Sequence, residues 1–385
     1  MKRAILVTSV ASMIKQFNMS NIKILQELDY EVTVATNFED AGNIPIDESN
    51  KLYDNLREIG VKPINIDFHR NPLNRKNIKA YRQFKTIIDS NYYDLIHCQS
   101  PIGGVLGRIA AQDTRKKGTK IIYTAHGFHF YNGAPLVNWV TFFPVEKVLS
   151  RYTDLLITIN NEDYNRAVKL LHATSVKRIP GVGIDVQKFS SKNICIDKKR
   201  EELKIPKNCY LILSVGELNN NKNHRILIEA LNEIKNPHIH YAIAGTGSLS
   251  KKLMELTYNS GLTDNIHFLG YRDDIADIYS ISNVFAFPSK REGLGLSAIE
   301  AMASGLPIIT SNVHGILDYS VNGETGFIFS PDNVNEAKEA IEKVYKLSDQ
   351  EVKYISENNK KKSEKYNQSI VNEQMKLIYE SITME

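Results

Sequence analysis

Short apolar runs alternate with segments of helical length along nearly the whole chain, and no other feature restricts the fold as strongly. In the first half the runs are residues 4–8, 31–35, 63–66, 95–98, 120–124, 155–159 and 176–179. In the second half they are residues 210–216, 241–245, 266–269, 284–288 and 307–311. Strands that alternate with helices predict βαβ units and parallel sheets, so the expected fold class is α/β.

The pattern stops and restarts near the middle of the chain. The segment from Pro180 to about Lys207 carries clustered glycines followed by Lys, Asn and Asp residues, which is typical of a loop, and we interpret it as a hinge. With 385 residues the chain is long enough for two hydrophobic cores. We therefore predict two Rossmann-like, doubly wound domains that face a cleft, over residues 1–188 and 189–365. The final segment, about 366–385, is predicted to be a helix that packs back on the first domain.

Composition and charge exclude several classes of protein. The formal net charge is +4, too small to indicate nucleic-acid binding by itself, although residues 62–120 are locally basic. The cysteines, Cys98, Cys195 and Cys209, are far apart and show no C-x-x-C spacing, so neither a disulfide framework nor a zinc site is indicated. No stretch approaches the roughly 18 apolar residues of a membrane span, and we interpret the apolar N-terminus as a first buried strand rather than a signal peptide. A cytoplasmic protein is expected.

Two glutamates flank a glycine-containing loop in residues 288–300, P-S-K-R-E-G-L-G-L-S-A-I-E. Glu292 precedes a helix predicted over residues 296–303, and Glu300 lies about one turn inside it. Glycines let backbone N–H groups approach phosphate or sugar oxygens, and a helix N-terminus supplies partial positive charge. A carboxylate accepts two hydroxyls at once, so the pattern favours a negatively charged, hydroxyl-rich ligand. The alternative is that the glutamates only complement the helix dipole.

The longer motif R-E-G-L-G-L-S-A-I-E-A-M-A-S-G-L-P resembles the E-x7-E signature of retaining family 4 glycosyltransferases, which have the GT-B fold. The resemblance implies that Glu292 contacts the transferred sugar and that Glu300 contacts the ribose of a nucleotide sugar. It implies that backbone groups between them serve the sugar and the diphosphate: Gly293, Leu294, Gly295 and Leu296. It also implies neither a metal nor a cofactor, since the nucleotide sugar is a co-substrate, and Asp273 and Asp274 do not form a D-x-D motif.

A second candidate segment is S-V-G-E-L-N-N-N-K-N, residues 214–223, in which a predicted strand runs into a polar loop. Lys222 would place a point charge on a diphosphate and is a catalytic candidate; the alternative is an ordinary exposed lysine. The family usually has arginine where this chain has Glu217, so Arg272 or Lys15 is a candidate replacement. The predicted donor contacts at these strand ends are Gly216, Glu217, Thr246 and Arg272.

In the first domain, Y-T-A-H-G-F-H-F-Y places two histidines just beyond an apolar strand. His126 matches the family histidine that reaches the donor sugar and is a catalytic candidate, although isolated histidines are more often structural; His129 is left open. His97 is expected to support the site rather than to react. Many relatives carry paired glycines after the first strand, where this chain has V-A-S-M-I-K, and Lys15 or the amides near Ser12 are candidate replacements.

The acceptor is expected on the first domain. Residues 70–85 combine cations with apolar residues at helical spacing, and Lys76, Lys79 and Arg82 are the candidate contacts with an anionic lipid surface. Residues 128–143, which are rich in aromatics and hold the single tryptophan, Trp139, form a second candidate surface. Either segment is equally well explained as core or as a solvated helix face.

The wider pattern is similar to bacterial glycosyltransferases of exopolysaccharide or capsule assembly. That similarity implies transfer from a nucleotide sugar to a polyprenyl-diphosphate-linked or glycan acceptor. UDP is the expected nucleotide, solely because it is usual in the family. The similarity further implies a peripheral location at the inner face of the bacterial membrane, without nucleic acid as a partner. Two alternatives stay open: a UDP-sugar 2-epimerase of the same architecture, which needs no acceptor, and a nucleotide-sugar-binding protein without catalytic activity.

Overall fold

The computed structural model describes residues 1–190 and 194–382, and the chain divides into two compact units. Unit 1 is Met1–Val182 with Ser369–Glu385, and unit 2 is Gly183–Gln368. The sequence prediction set the domain ends at residues 188 and 365. Residues 383–385 of the predicted C-terminal helix and residues 191–193 of the predicted hinge lie outside the described part of the chain.

Unit 1 is built on a parallel sheet. Its strands are β1 Lys2–Val7, β2 Tyr30–Thr36, β3 Lys62–Asn65, β4 Leu95–Gln99, β5 Lys120–Ala125, β6 Leu155–Thr158 and β7 Ser175–Arg178. They form a seven-stranded sheet in the order β3-β2-β1-β4-β5-β6-β7. Every residue of β4 is buried, as expected where helices cover both faces of a parallel sheet. The predicted strands of this half are confirmed, with their ends shifted by one or two residues.

The helices of unit 1 lie on both faces of this sheet. They are α1 Ala11–Phe17, α2 Met19–Glu27, α3 Ile46–Glu58, α4 Lys76–Ser90, α5 Pro101–Ala110, α6 Gln112–Arg115, α7 Leu136–Leu149 and α8 Asn161–Leu170. The chain runs outward from β1 to β3, crosses back to β4 and then runs outward to β7. Since βαβ crossovers are right-handed, α1 to α3 cover one face, and α4, α5, α7 and α8 cover the other. Because α5 contacts both α4 and α7, these three helices form one layer.

Unit 2 repeats the architecture. Its helices are α9 Val186–Phe189, α10 Ile196–Glu202, α11 His224–Ile234, α12 Ser250–Asn259, α13 Ile275–Ser280, α14 Leu296–Ala303, α15 Val334–Tyr345 and α16 Asp349–Ser363. Its strands are β8 Tyr210–Val215, β9 Ile239–Ala244, β10 Ile266–Gly270, β11 Val284–Phe287, β12 Ile308–Ser311 and β13 Gly326–Phe329. They form a six-stranded parallel sheet in the order β10-β9-β8-β11-β12-β13. Helix α17, Gln368–Ile382, then returns the chain to unit 1.

The second half differs from its sequence prediction in two places. Strand β13 was not predicted, because a four-residue run after a turn-like N-G-E-T gives too weak a signal. The loop predicted over residues 180–207 is wrong in part, since α9 and α10 lie within it. The Asp185 carboxylate caps α9 by accepting a hydrogen bond from the Lys188 amide, and the buried Arg200 of α10 donates to the Cys209 carbonyl at 3.0 Å. Tertiary bonds of this kind override a loop-like composition.

In each sheet the strand order reverses between two neighbours that are distant in sequence. These neighbours are β1 and β4 in unit 1, and β8 and β11 in unit 2. Open parallel sheets bind ligands at the carboxyl ends of their strands, at such a reversal. In unit 2 these ends lead into residues 216–223 and residues 288–295, which hold two of the sequence motifs.

Candidate functional site

The carboxyl ends of β8 and β11 bring together two loops that are far apart in the sequence. The loop of residues 216–223 follows β8, and the loop of residues 288–295 follows β11. The Asn221 side-chain amide donates to the Arg291 carbonyl at 2.9 Å, and the Lys290 backbone amide donates to the Asn221 carbonyl at 2.8 Å. These bonds hold the two loops against each other.

Lys222 and Glu292, which lie on these two loops, form an ion pair. Nζ of Lys222 lies 2.6 Å from Oε1 of Glu292 and 4.6 Å from the ring centroid of Phe287. The two side chains are 21% and 15% exposed. A pair with so little exposure is screened less by water and salt than a surface pair, so each charge positions the other. The pair sets a cation beside a carboxylate, which suits a ligand that carries phosphate next to sugar hydroxyls.

The loop between Glu292 and α14 requires glycine at position 295. Gly295 has a φ angle of 89°, and a Cβ atom there would lie 2.4 Å from a ring carbon of Phe287. The Tyr319 hydroxyl donates to the Leu294 carbonyl at 2.9 Å and holds the loop in this shape. Gly293 precedes Leu294 in the same loop, which therefore presents backbone rather than bulky side chains at both glycines.

Helix α14 begins directly after this loop, at Leu296, and its predicted bounds of 296–303 are confirmed. Its N-cap, Gly295, offers no capping side chain, and its first turn contains no acidic residue. The first N–H groups of a helix lack intrahelical partners and lie at the positive end of the helix dipole. The start of α14 is therefore able to bind an anion such as phosphate.

Glu300 lies one turn further along α14 and is half-buried. The Tyr279 hydroxyl on α13 lies 3.1 Å from Oε2 of Glu300 and 2.9 Å from the carbonyl oxygen of Ser297. Burial raises the pKa of the Glu300 carboxyl, whereas the Tyr279 hydrogen bond and the charge of Lys188 lower it. A positioned carboxylate of this kind can accept two neighbouring hydroxyls. Tyr279 was missed in the sequence because nothing local marks a core tyrosine as a partner of Glu300.

The other predicted donor residues lie at the same edge of the sheet. Gly216 directly follows β8, and Thr246 lies just beyond the end of β9. The Leu218 amide donates to the Thr246 carbonyl at 2.9 Å, which joins the two loops. Glu217 is exposed, so the position of the usual arginine carries a negative charge at the surface.

Arg272, one candidate replacement for that arginine, is engaged by two carboxylates. Its Nε donates to Oδ1 of Asp274 at 2.7 Å, and its Nη2 donates to Oε1 of Glu202 at 3.1 Å. The Arg272 guanidinium holds the pKa of the Asp274 carboxyl well below its usual range. Its role toward a ligand stays a prediction and requires these pairs to open. Across residues 1–190 and 194–382, no group of three or more His, Cys, Asp or Glu side chains is placed to hold a metal ion.

The segment after β1 holds the two candidate replacements for the paired glycines, Lys15 and the amides near Ser12. Nζ of Lys15 lies 2.5 Å from Oε2 of Glu48, and the Ser12 amide donates to the Ala41 carbonyl at 2.9 Å. Both candidate groups are therefore bonded within unit 1, and their proposed contact with a diphosphate stays a prediction.

His126 follows β5 in unit 1 and belongs to a polar chain of side chains. Its Nε2 lies 2.8 Å from Oε1 of Gln99, whose amide group donates to Oδ1 of Asn18. Since Oε1 accepts, Nε2 carries the proton and Nδ1 is left as an acceptor. Burial lowers the pKa of His126 to about 4, so the ring is neutral near pH 7. The cavity beside it is lined by Phe17, Thr124, Gly181 and Met375, among others.

Of the other two histidines of this region, His97 is buried in the core of unit 1 and His129 is half-buried. His97 bonds Tyr379 through Nδ1 and Thr124 through Nε2, both at 2.8 Å, and burial lowers its pKa to about 3. The His129 ring lies 4.6 Å from that of Phe142, centroid to centroid. Gln99, Asn18 and Tyr379 were missed in the sequence, where only the histidines stand out at a strand end.

The predicted lipid contacts lie on α4. Nζ of Lys79 lies 2.6 Å from the Asp67 carboxylate, and this contact lowers the pKa of Asp67. Lys76 and Arg82 are exposed, and Ile78 beside them is 57% exposed. The helix thus presents cations together with an apolar side chain.

Two family models match the chain. Residues 196–362 match the model described as glycosyl transferases group 1, and residues 10–160 match the model described as glycosyl transferase 4-like. The first range contains Lys222, Glu292 and Glu300, and the second contains His126.

Curated relatives cover most of the chain. The chain is 34% identical over 349 residues to the putative glycosyltransferase EpsD of Bacillus subtilis, which covers 89% of this chain and 87% of that protein. It is 30% identical over 295 residues to the UDP-Gal:alpha-D-GlcNAc-diphosphoundecaprenol alpha-1,3-galactosyltransferase of Escherichia coli, with 74% of each chain covered.

A solved structure matches over almost the full length. HepE of Anabaena, crystallised in complex with UDP and glucose, superposes with a TM-score of 0.78 at 20% identity and covers 99% of this chain and 100% of that chain. This likeness concerns the fold. The predicted fold class, GT-B with two Rossmann-like α/β domains, is confirmed.

Proposed function

We propose that this chain, which belongs to the group 1 glycosyltransferases, is a retaining enzyme that moves a sugar from a UDP-sugar to a lipid-linked or glycan acceptor in cell-surface polysaccharide assembly. Family membership makes it a glycosyltransferase of GT-B fold; the donor, the stereochemistry and the acceptor are the proposal. The observation that carries the donor site is the Lys222–Glu292 pair at the strand reversal of unit 2, next to the start of α14.

Different groups of the donor site bind the diphosphate, the transferred sugar and the ribose of the nucleotide sugar. Lys222 and the first N–H groups of α14 bind the diphosphate, because both supply positive charge. Glu292 accepts hydroxyls of the transferred sugar, and Glu300, positioned by Tyr279, accepts the ribose hydroxyls. Lys222 is paired with Glu292, so donor binding exchanges a carboxylate partner of Lys222 for a phosphate.

Transfer breaks the bond between the anomeric carbon and the β-phosphate oxygen, and UDP leaves with both electrons. A bond forms from the acceptor hydroxyl oxygen to the same face of the anomeric carbon, and the hydroxyl proton passes to the leaving phosphate oxygen. Lys222 and α14 stabilise the charge that develops on the diphosphate, while Glu292 stabilises the positive charge on the sugar ring. Positioned charges of this kind usually contribute the largest share of a rate enhancement.

His126 is assigned to the donor sugar. The ring is neutral near pH 7 and is fixed through Nε2 by Gln99, so Nδ1 is the group available to accept a sugar hydroxyl. The assignment is supported by the position of His126 beyond β5 and beside a cavity of unit 1.

The proposed acceptor is a saccharide on a polyprenyl diphosphate. The Escherichia coli relative is named for transfer to GlcNAc-diphosphoundecaprenol, and 74% of this chain is aligned with it. An acceptor of the same class would place this enzyme at the inner face of the bacterial membrane, where the exposed Lys76 and Arg82 of α4 are candidate contacts with anionic lipid.

The experiment has two stages. First, thermal shift with UDP-sugars and GDP-sugars is expected to show stabilisation by UDP-sugars; stabilisation by GDP-sugars alone would overturn the choice of nucleotide. Second, radiolabelled donor is incubated with bacterial lipid extract, and label is expected in the organic phase. Epimerised UDP-sugar formed without acceptor would instead identify an epimerase.

A further inference from the structure

Helix α7 is apolar around most of its circumference, yet only one side of it is packed. Toward the sheet, its aromatic side chains pack on the core of unit 1: Trp139, Phe142 and Phe143. On the other side Leu136, Val137, Val140, Val145 and Val148 are 82%, 59%, 70%, 42% and 53% exposed. Positions 137, 140, 144, 145 and 148 recur at helical spacing and share one face. A helix that is apolar all round belongs in a core or in lipid.

Neighbouring helices extend this surface. The helices α4, α5 and α7 lie in one layer on the same side of the sheet, with α5 in contact with both others. Val105 and Ile109 of α5 are half-buried, and Ile78 of α4 is 57% exposed. We call these side chains, with the exposed side of α7, the apolar face of unit 1. Contiguous exposed apolar surface marks an interaction site in a folded protein.

Cations lie at both margins of the apolar face. The last turn of α7 holds Lys147, whose Nζ lies 5.7 Å from the Phe143 ring centroid, and Arg151 follows the helix. Arg151 lines a depression of about 500 Å³ together with Arg115, Lys116, Lys120 and one carboxylate, Asp154, which is paired with Arg115 at 2.7 Å. At the other margin, α4 presents Lys76 and Arg82.

Three carboxylates near this surface each have a cationic partner, and one of those partners, Lys116, is among the margin cations. Asp113 is paired with Lys116 at 3.3 Å, and Asp89 is paired with Lys85 at 2.7 Å. Glu146, on α7 itself, is buried against Arg108 at 2.8 Å. The surface therefore combines an apolar centre with a positive margin, and such a surface is complementary to an anionic membrane.

We propose that the apolar face of unit 1 docks on an anionic lipid bilayer, with the exposed side of α7 in the acyl boundary and the flanking cations at the phosphates. None of the helices within residues 1–190 and 194–382 is both long and apolar enough to cross a bilayer. A second copy of the chain fits the surface less well, because two identical positive margins would face each other. The inference rests on the proposed function only in giving the enzyme a lipid-borne acceptor.

The single tryptophan makes insertion directly measurable. Trp139 packs on the core side of α7, so Trp139→Phe combined with Val140→Trp places the one tryptophan on the exposed side of the helix instead. We expect sedimentation of the parent with phosphatidylcholine vesicles that contain phosphatidylglycerol, weaker sedimentation with phosphatidylcholine alone, and quenching of the variant's tryptophan by brominated acyl chains. Sedimentation without quenching would overturn the proposal, since the protein would then dock through another surface.

Substitutions test whether the apolar face of unit 1, rather than the overall charge of the protein, is responsible for vesicle binding. The double variant Val137→Ser and Val140→Ser removes apolar area from exposed positions and is expected to lower the vesicle partition coefficient at least about tenfold. The matched control is Met254→Ser and Tyr258→Ser on α12 of unit 2, where the side chains are 49% and 76% exposed; binding should not change. Equal binding of both variants and the parent would contradict the proposal.

Two further measurements distinguish lipid docking from dimerisation and from a failure of the proposed donor. Equilibrium sedimentation without lipid is expected to show the same mass for the parent and the Val137→Ser and Val140→Ser variant; a dimer lost in the variant would mean that a second copy covers the face. Stabilisation by UDP-sugar should be the same in both proteins. If UDP-sugars fail to stabilise the parent while vesicles still quench the tryptophan of the Trp139→Phe and Val140→Trp variant, the proposed donor fails and the docking surface stands.

Discussion

Nζ of Lys222 lies 2.6 Å from Oε1 of Glu292, although 70 residues separate the two in the chain. The pair exists because β8 and β11 are neighbours in the sheet of unit 2, so that the loops after them meet. It gives the proposed donor site a cation and a carboxylate that hold each other in position.

Removing the cation of this pair should reduce catalysis. Lys222→Ala is expected to lower kcat by about 10²- to 10³-fold, the usual cost of losing one group that stabilises developing charge. The control is Arg225→Ala, three residues further on, whose guanidinium is 70% exposed and paired only with Glu229 among its described ion pairs. Steady-state transfer assays check the prediction. Full activity in Lys222→Ala would remove Lys222 from the site.

The role of the Glu292 carboxylate can be tested by removing its charge while keeping its size. Glu292→Gln keeps the size of the side chain but loses its charge, so we expect a loss of kcat with UDP binding retained or tightened, because Lys222 is freed for the diphosphate. Isothermal titration with UDP measures the binding, and radiolabel transfer measures the rate. Weaker UDP binding in Glu292→Gln would contradict the exchange of partners proposed for Lys222.

Tyr279 is expected to act as a positioning residue for Glu300. Tyr279→Phe removes a 3.1 Å hydrogen bond to the carboxylate and should raise the KM for donor about fivefold with little change in kcat. Because that bond lowers the Glu300 pKa, which burial has raised above its ordinary value of 4.5, the variant should lose donor affinity at a higher pH than the parent as the solution is acidified. The pH profile of KM checks this. An equal change in kcat, or an unmoved profile, would indicate a purely structural role.

Gly295 has a natural control at Gly323. Both glycines have positive φ, 89° and 74°, but a Cβ at 295 would clash with Phe287 whereas a Cβ at 323 meets no atom within 4 Å. Gly323→Ala should cost about 1–2 kcal/mol of backbone strain and leave donor binding unchanged. Gly295→Ala should destabilise unit 2 further and abolish stabilisation by UDP-sugar. Thermal shift of both variants tells the two effects apart.

The His97 core contact predicts a pH dependence of stability. Burial lowers the pKa of His97 from an ordinary 6.5 to about 3 in the folded chain. Below pH 6.5, His97 therefore binds a proton in the unfolded chain but stays neutral in the folded chain. The stability of unit 1 is therefore complete above pH 6.5 and is lost as pH falls from there toward 3, by at most about 1.4 kcal/mol per pH unit for this one group. Urea unfolding followed by Trp139 fluorescence measures it, and His97→Gln should flatten the slope.

The strands and the motif loops were predictable because their signals are local. Residues 4–7 of the first run are apolar and all buried, and the bounds of α14 follow from Gly295 before it and the apolar spacing after it. By contrast, α9 and α10 depend on bonds such as that from Arg200 to the Cys209 carbonyl, which no window of sequence contains.

The orientation of α7 likewise could not be predicted from the sequence. A sequence apolar on all sides, with Val140 and Trp139 adjacent, does not tell which side faces the core. Packing on Phe130 and the core of unit 1 decides it, by burying the aromatic side and leaving the valine side in water.

The sequence by itself determined the class of fold, the family and the identity of Glu292, Glu300 and Lys222 as candidates, because strand periodicity, glycine positions and a nine-residue motif are all local properties. Only the tertiary structure decided which side chains meet. Lys222 reaches Glu292 through the order of the strands, Tyr279 reaches Glu300 from α13, and His97 bonds Tyr379 from 282 residues away. Pairings of this kind are set by the order of the strands in each sheet and by the packing of the helices. They join residues that are far apart in the chain, and no local pattern in the sequence indicates that such residues meet.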